Sequence, residues 1–97
     1  MKVVHCKKEP YDVYIGRPSR FGNPYSHIPG KGEYLVASRE HAIEKYREMV
    51  NSMIALDRPA VISIFSEVAG KTLGCWCTPN ACHGDVIIDI CKELGLI

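Results

Sequence analysis

The sequence has no apolar run near the ~20 residues that a membrane-spanning helix requires, which removes a helical membrane anchor from consideration. Its opening, MKVVHCKKEP, lacks the long apolar core of a secretory signal, and the expectation is a cytoplasmic protein with no membrane partner. There is no Walker-type P-loop, no G-x-G-x-x-G fingerprint and no paired C-x-x-C, so three familiar ligand motifs are excluded. Internal repeats and low-complexity tracts are also missing. Net charge is scarce, at +1, which argues against a strongly electrostatic partner. What remains is ordinary: 46% hydrophobic and 24% charged residues, the composition of a soluble globular protein. The 97 residues suit one domain, expected to span 1–97.

The small net charge is unevenly spread. Residues 1–31 hold six bases and two acids, while residues 32–97 hold six bases and nine acids. A basic front third points to an anionic ligand or, equally, to solvated lysines. Five cysteines cannot all pair. In a reducing compartment, clustered cysteines more often bind metal or do chemistry than form disulfides.

Along the chain, KVVHC (2–6) and VYIG (13–16) read as short strands, with a Pro10 turn between them. From Gly16 to Tyr34 the apolar period disappears among Pro18, Gly22, Pro24, Pro29, Gly30 and Gly32. A loop of this length tends to be functional. Ser38 reads as a helix N-cap with Glu40 in the first turn, and Ile43, Tyr46, Met49, Val50, Met53 and Ile54 continue at three- and four-residue steps. Asp57-Arg58-Pro59 reads as that helix's end. A second helix is expected from Pro59 to Ala69, a strand over KTLGCWC (71–77), and a third helix starting at Asp85 as N-cap. The fold class that follows is α/β: a short, mostly parallel sheet of about three strands covered by three helices.

The densest chemistry lies in GCWCTPNACHGD, Gly74 to Asp85. On a strand, Cys75 and Cys77 share one face and Trp76 takes the other. Cys82 and His83 return after a turn. Four soft or borderline donors in this span suit zinc's tetrahedral preference, although C-x-C-x4-C-H is not a common zinc knuckle. A three-ligand site with an open position is the variant. A thiol at a helix N-terminus should be acidified, His83 could shuttle its proton, and Asp85 either orients the histidine or is spent as the cap. Plain packing stays open, since free cysteine is often buried. Cys91 fits that reading, on the core stripe of the last helix.

GRPSRFGNPY (16–25) is the second candidate. Gly16 and Gly22 allow close backbone approach, and Arg17 and Arg20 can fork onto phosphate or carboxylate. Ser19 and Asn23 add polar groups, and Phe21 or Tyr25 could stack on a base. The alternative is a packed surface loop whose arginines pair with the acidic first helix. If the strands ending at Gly16 and Cys77 are parallel neighbours, both loops leave the same sheet edge, where open α/β sheets bind ligands.

VYIGRPSRFGNPY, SREHAIEKYRE and GKTLGCWCTPNACHGDVI resemble the phage and bacterial family called domain of unknown function 4326, in the family's order and over nearly the whole chain. Position by position, the family's hallmarks fall on Gly16, Arg17, Gly22, Asn23, Pro24, Cys75, Trp76, Cys77, Pro79, Cys82, His83, Gly84 and Asp85. The resemblance implies a fold and no activity, and it favours a site over plain packing because so many hallmarks are polar.

The leading expectation is a phosphate-bearing, nucleotide-like small molecule. Arg17 and Arg20 would hold the anion, aided by Ser19 and Trp76 and by backbone groups of Gly16, Gly22, Asn23 and Gly84. Cys77, Cys82, His83 and Asp85 would lie at the reacting end. As an enzyme, a hydrolase or transferase, the protein would use Cys82 as nucleophile or His83 as general acid–base on a glycosidic or phosphate ester bond. The alternatives are a structural zinc site of Cys75, Cys77, Cys82 and His83, and an accessory factor that binds nucleic acid or protein without catalysis.

Overall fold

The computed structural model describes residues 1–97. Its elements are β1 (Lys2–His5), β2 (Val13–Tyr14), β3 (Tyr25–Ser26), β4 (Tyr34–Leu35), α1 (Arg39–Ser66), β5 (Thr72–Cys75) and α2 (His83–Glu93). The main sheet is parallel throughout, in the order β1-β5-β2, with Val3 and Val13 both in register with Leu73. The fold is the expected small α/β arrangement of helices and short parallel sheets. Because β2 and β5 are parallel neighbours, the loops after Gly16 and Cys77 do leave the same edge.

Two helices form rather than three. The segments expected as separate helices run together in α1, which breaks only at Asp57 (φ −157°, ψ 76°). Pro59 has no N–H to donate, so the ladder must be interrupted here. The Asp57 carboxylate then accepts the Ala60 N–H at 3.2 Å and restarts the helix at once. The signal for a stop thus produces a kink. At the other end, the Ser38 hydroxyl accepts the His41 N–H at 3.0 Å, as its N-cap role requires.

β5 lies between two strands, and three of its four residues, Leu73, Gly74 and Cys75, are buried: Leu73 and Cys75 face the helices, and Gly74 lies against the Tyr11 ring on the other face. Leu73 and Cys75 share a core with Val50, Val61 and Phe65 of α1 and Val86, Ile87, Ile90 and Cys91 of α2. Each fully buried aliphatic side chain contributes about 1.5–3 kcal/mol. The long loop is pinned to this core. Phe21 meets Phe65 edge-on with centroids 5.7 Å apart, and the Tyr46 hydroxyl donates to the Phe21 carbonyl at 3.2 Å. Inside the loop, β3 and β4 pair in parallel as a separate two-stranded sheet. No helix is long and apolar enough to cross a membrane.

Candidate functional site

The sheet ends at Cys75, not at the expected Cys77; the Cys6 N–H, donating to the Cys75 carbonyl at 3.0 Å, makes the last bond between these two segments. The chain then turns through Trp76 and Cys77 into α2. Cys75, Cys77 and Cys82 converge there: their sulfurs lie within 4.8 Å of one another, and Cys82 Sγ is 3.0 Å from Cys75 Sγ. Three soft donors this close can hold a metal ion. All five cysteines are free thiols.

The N-cap of α2 is Cys82, not Asp85. The Cys82 sulfur accepts the Gly84 N–H at 3.4 Å, and the Asp85 carboxylate, at the third helical position, accepts the Cys82 N–H at 3.3 Å. This is a capping box with cysteine in the serine position. Asp85 is therefore spent on the cap and does not orient His83. The Gly84 amide is likewise spent on sulfur and is not offered to an anion.

His83 is 6% exposed. Its Nε2 lies 2.8 Å from the Ile15 carbonyl oxygen, which can only accept, so Nε2 carries the proton. That leaves Nδ1 as an acceptor, 3.5 Å from Cys82 Sγ. Burial holds the His83 pKa below its usual 6.5, so the ring is neutral at pH 7. His83 falls outside the three-sulfur group, and the four-ligand set read from the sequence reduces to three cysteines.

The charge on the sulfurs is also unlike the expectation for a reactive helix-terminal cysteine. Cys77 is the acidic member, its pKa pulled down to about 2 by hydrogen bonds from Cys75 and then Cys82, with Arg39 beside it. Cys82 moves upward instead, first because its thiol donates to Cys75 at 3.0 Å, then through the neighbouring Cys77 and through burial. The Cys75 pKa is raised chiefly by its hydrogen bond to Cys77. The directions of these shifts mark Cys77, beside Arg39, as the sulfur that gives up its proton first. Cys82, 3% exposed and protonated, is poorly suited to be a nucleophile.

A cavity of about 670 Å³ opens over this cluster, within the roughly 300–1,000 Å³ range of small-molecule sites. Its walls include Gly16, Arg17, Asn23, Lys31, Arg39, Trp76, Asn80, His27 and His83, with Cys75, Cys77 and Cys82. Of the residues expected from sequence, the cavity gathers Gly16, Arg17, Asn23, Trp76, His83 and the three cysteines. Ser19, Arg20, Gly22, Gly84 and Asp85 are not in its wall. Arg20 is engaged elsewhere, by Glu67 at 2.7 Å. The Gly22 N–H closes a turn on the Ser19 carbonyl at 3.0 Å.

Arg17 and Asn23 shape the loop as well as the cavity. Arg17 donates through one terminal nitrogen to the Asn23 carbonyl at 2.7 Å. The Asn23 side chain donates to the Ala42 carbonyl at 3.0 Å and accepts the Tyr25 N–H at 2.9 Å, tying the loop to α1. Sequence reasoning missed Arg39, Lys31, His27 and Asn80. Arg39 had a usable signal: a residue directly after the Ser38 cap sits on the first turn, clear of the helix stripe.

The wall holds three cations and two histidines, and it contains no aspartate or glutamate. A carboxylate-free, cationic cavity suits an anion, and the half-buried Arg39 is positioned to meet one while steadying Cys77.

A model of the family described as Domain of unknown function (DUF4326) matches residues 2–93. A protein of Enterobacteria phage T4, described as "Uncharacterized 12.4 kDa protein in nrdA-td intergenic region", is 32% identical over 93 residues, covering 96% of this chain and 79% of that protein. No solved structure matches.

Proposed function

This chain belongs to the family Domain of unknown function (DUF4326), and from the geometry of its site we propose that it binds a phosphate-bearing small molecule above a zinc ion held by Cys75, Cys77 and Cys82. The observation that carries the reading is the wall of the cavity: Arg17, Lys31 and Arg39 with no carboxylate, directly over three convergent sulfurs. Guanidinium groups recognise phosphate through paired, charge-assisted hydrogen bonds. Arg17 has one terminal nitrogen committed to the loop, and the rest of its fork is available. Arg39 supplies the second contact.

Zinc is the metal that the donor set favours, because thiolates select soft or borderline ions and zinc accepts three protein ligands with a fourth position open. The cavity over the sulfurs gives that position access to the ligand. When bound there, zinc would act as a Lewis acid or acidify a water molecule. The protein's own part is to bind and orient the anion with its arginines and to keep the ion from acidic competitors. His83 Nδ1, beside Cys82, is the proton acceptor nearest the cluster. An ion joining the end of β5 to the cap of α2 would also staple the fold, so a stabilising role accompanies the binding role.

The test is calorimetry with inorganic phosphate and simple phosphate esters on zinc-loaded protein. Binding is expected, weakened about tenfold or more in Arg39→Gln, as loss of a charge-assisted hydrogen bond implies. Absence of heat with every phosphate, or equal affinity in Arg39→Gln, would overturn the reading.

A further inference from the structure

Trp76 is the chain's single tryptophan, and it is not placed as a core residue. Tryptophan kept for packing is largely buried, whereas Trp76 is 55% exposed. It is nevertheless held firmly. Its Nε1 donates to the Tyr14 hydroxyl at 2.8 Å, the His5 ring meets it edge-on with centroids 5.7 Å apart, and Lys7 Nζ lies 5.4 Å from its ring centroid. With the indole N–H already satisfied, the ring has only an apolar, electron-rich surface left to offer. Trp76 is also the residue that the cationic cavity shares with a shallow groove lined by Cys6, Lys7, Tyr11 and Tyr14. It forms the partition between an anion site and an aromatic, lysine-bearing surface.

A role in bracing the sheet edge explains the bond to Tyr14. It does not explain an exposed ring in the wall of a cationic cavity. Lys7 already supplies the cation that such a ring attracts, and the complement left for an exposed π-surface beside a phosphate site is a planar aromatic group joined to phosphate. We propose that the ligand is a nucleotide, with its phosphate among Arg17, Lys31 and Arg39 and its base stacked on Trp76. The proposal rests on the phosphate reading of the cavity and adds the class of molecule. Stacking tolerates any base, because every base has a π-face, so the class is assigned and the base is not. The same chemistry is presented by a free nucleotide and by a nucleotide within a single strand, whose neighbours would cross the groove by Tyr11 and Lys7.

The test uses the intrinsic fluorescence of Trp76, which reports on this ring alone, together with calorimetry. The titrants are inorganic phosphate, deoxyribose 5-phosphate, thymidine monophosphate and a short oligothymidylate. Thymidine monophosphate is expected to quench the emission and to bind about tenfold or more tighter than deoxyribose 5-phosphate. Trp76→Leu should bring the two to equal affinity, and Trp76→Phe should keep most of the difference. An oligothymidylate that binds tighter than the mononucleotide, with steep salt dependence, supports the proposal and assigns a strand as the source. A mononucleotide that binds at least as tightly supports it and assigns the free form. If phosphate and sugar phosphate bind but the base adds nothing, or if Trp76→Leu keeps the full difference, the stacking proposal fails and the phosphate site stands. If no titrant binds, both fail.

Discussion

Replacing Gly84 by alanine sets two effects of opposite sign against each other. Gly84 lies in the first turn of α2, where that helix crosses β1 and the end of β2. A Cβ built there would stand 2.6 Å from Val3 Cγ2 and 2.9 Å from Ile15 Cδ1. Carbon atoms ordinarily approach to about 3.5–4.0 Å, so roughly 1 Å must be found. Val3 is stiff at χ1 and Ile15 is fully buried, which leaves the helix to move. Overpacking of this kind costs about 1–3 kcal/mol. Alanine's better helix propensity returns up to about 1 kcal/mol, for an interior position, and less in a first turn. The clash therefore wins by about 1–2 kcal/mol, and the melting temperature should fall by roughly 5–15 °C for a chain of this size. The displaced turn carries Cys82, so zinc affinity in competition with a chromophoric chelator should fall as well. Melts of wild type and Gly84→Ala decide the matter. A variant that melts at or above the wild-type temperature would refute the argument, because helix propensity alone predicts that result.

Further outcomes follow from His83 and Asn23. Burial lowers the His83 pKa in the folded state, so below about pH 6.5 the unfolded chain takes up a proton that the native chain refuses. Stability should then fall as pH drops from 7.5 to 5.5, by up to about 1.4 kcal/mol per pH unit. Urea unfolding of chelator-treated protein measures this, and a flat profile would contradict a buried neutral ring. Asn23→Ala leaves the Ala42 carbonyl and the Tyr25 N–H without their side-chain partner at a buried site. A loss of about 1–3 kcal/mol is expected in urea, with weaker phosphate binding as the Arg17 loop loosens. Unchanged stability would show that the loop is not anchored there.

Much of the architecture was legible because it rests on local rules. The cap at Ser38 follows from residue preference and the apolar steps through Tyr46 and Val50 from the helical period, and the structure keeps both. The strand alternation read through Cys77 holds only as far as Cys75. Asp57-Arg58-Pro59 was read as a stop because proline ends a hydrogen-bond ladder. What the sequence hides is that Asp57 can cap the continuation three residues on. Asp85 was read as an N-cap from residue preference. Cysteine is an uncommon cap with a weak acceptor sulfur, so the box from Cys82 to Asp85 was easy to miss, although the three-residue spacing was present.

For the site, sequence reading found both loops and their common edge but not the division of labour within them. Arg17 and Arg20 look alike in GRPSRFGNPY, yet Arg20 finds Glu67, 47 positions away, and only Arg17 faces the cavity. Such long-range pairing leaves no trace in a local window. Arg39 offered a first-turn position next to the Ser38 cap, but its pairing with Cys77 is set by tertiary packing. β3 and β4 are two residues each, too short to carry a period.

The central claim is that three cysteines form a metal centre at the floor of an anion site. Its most direct test is the zinc content of protein purified without chelator and without an affinity tag. One zinc per chain is predicted, lost in Cys77→Ser and kept in Cys91→Ala, whose sulfur is buried in the core apart from the cluster. Protein that is folded, binds phosphate and contains no zinc or other soft metal, even after reconstitution, would contradict the claim.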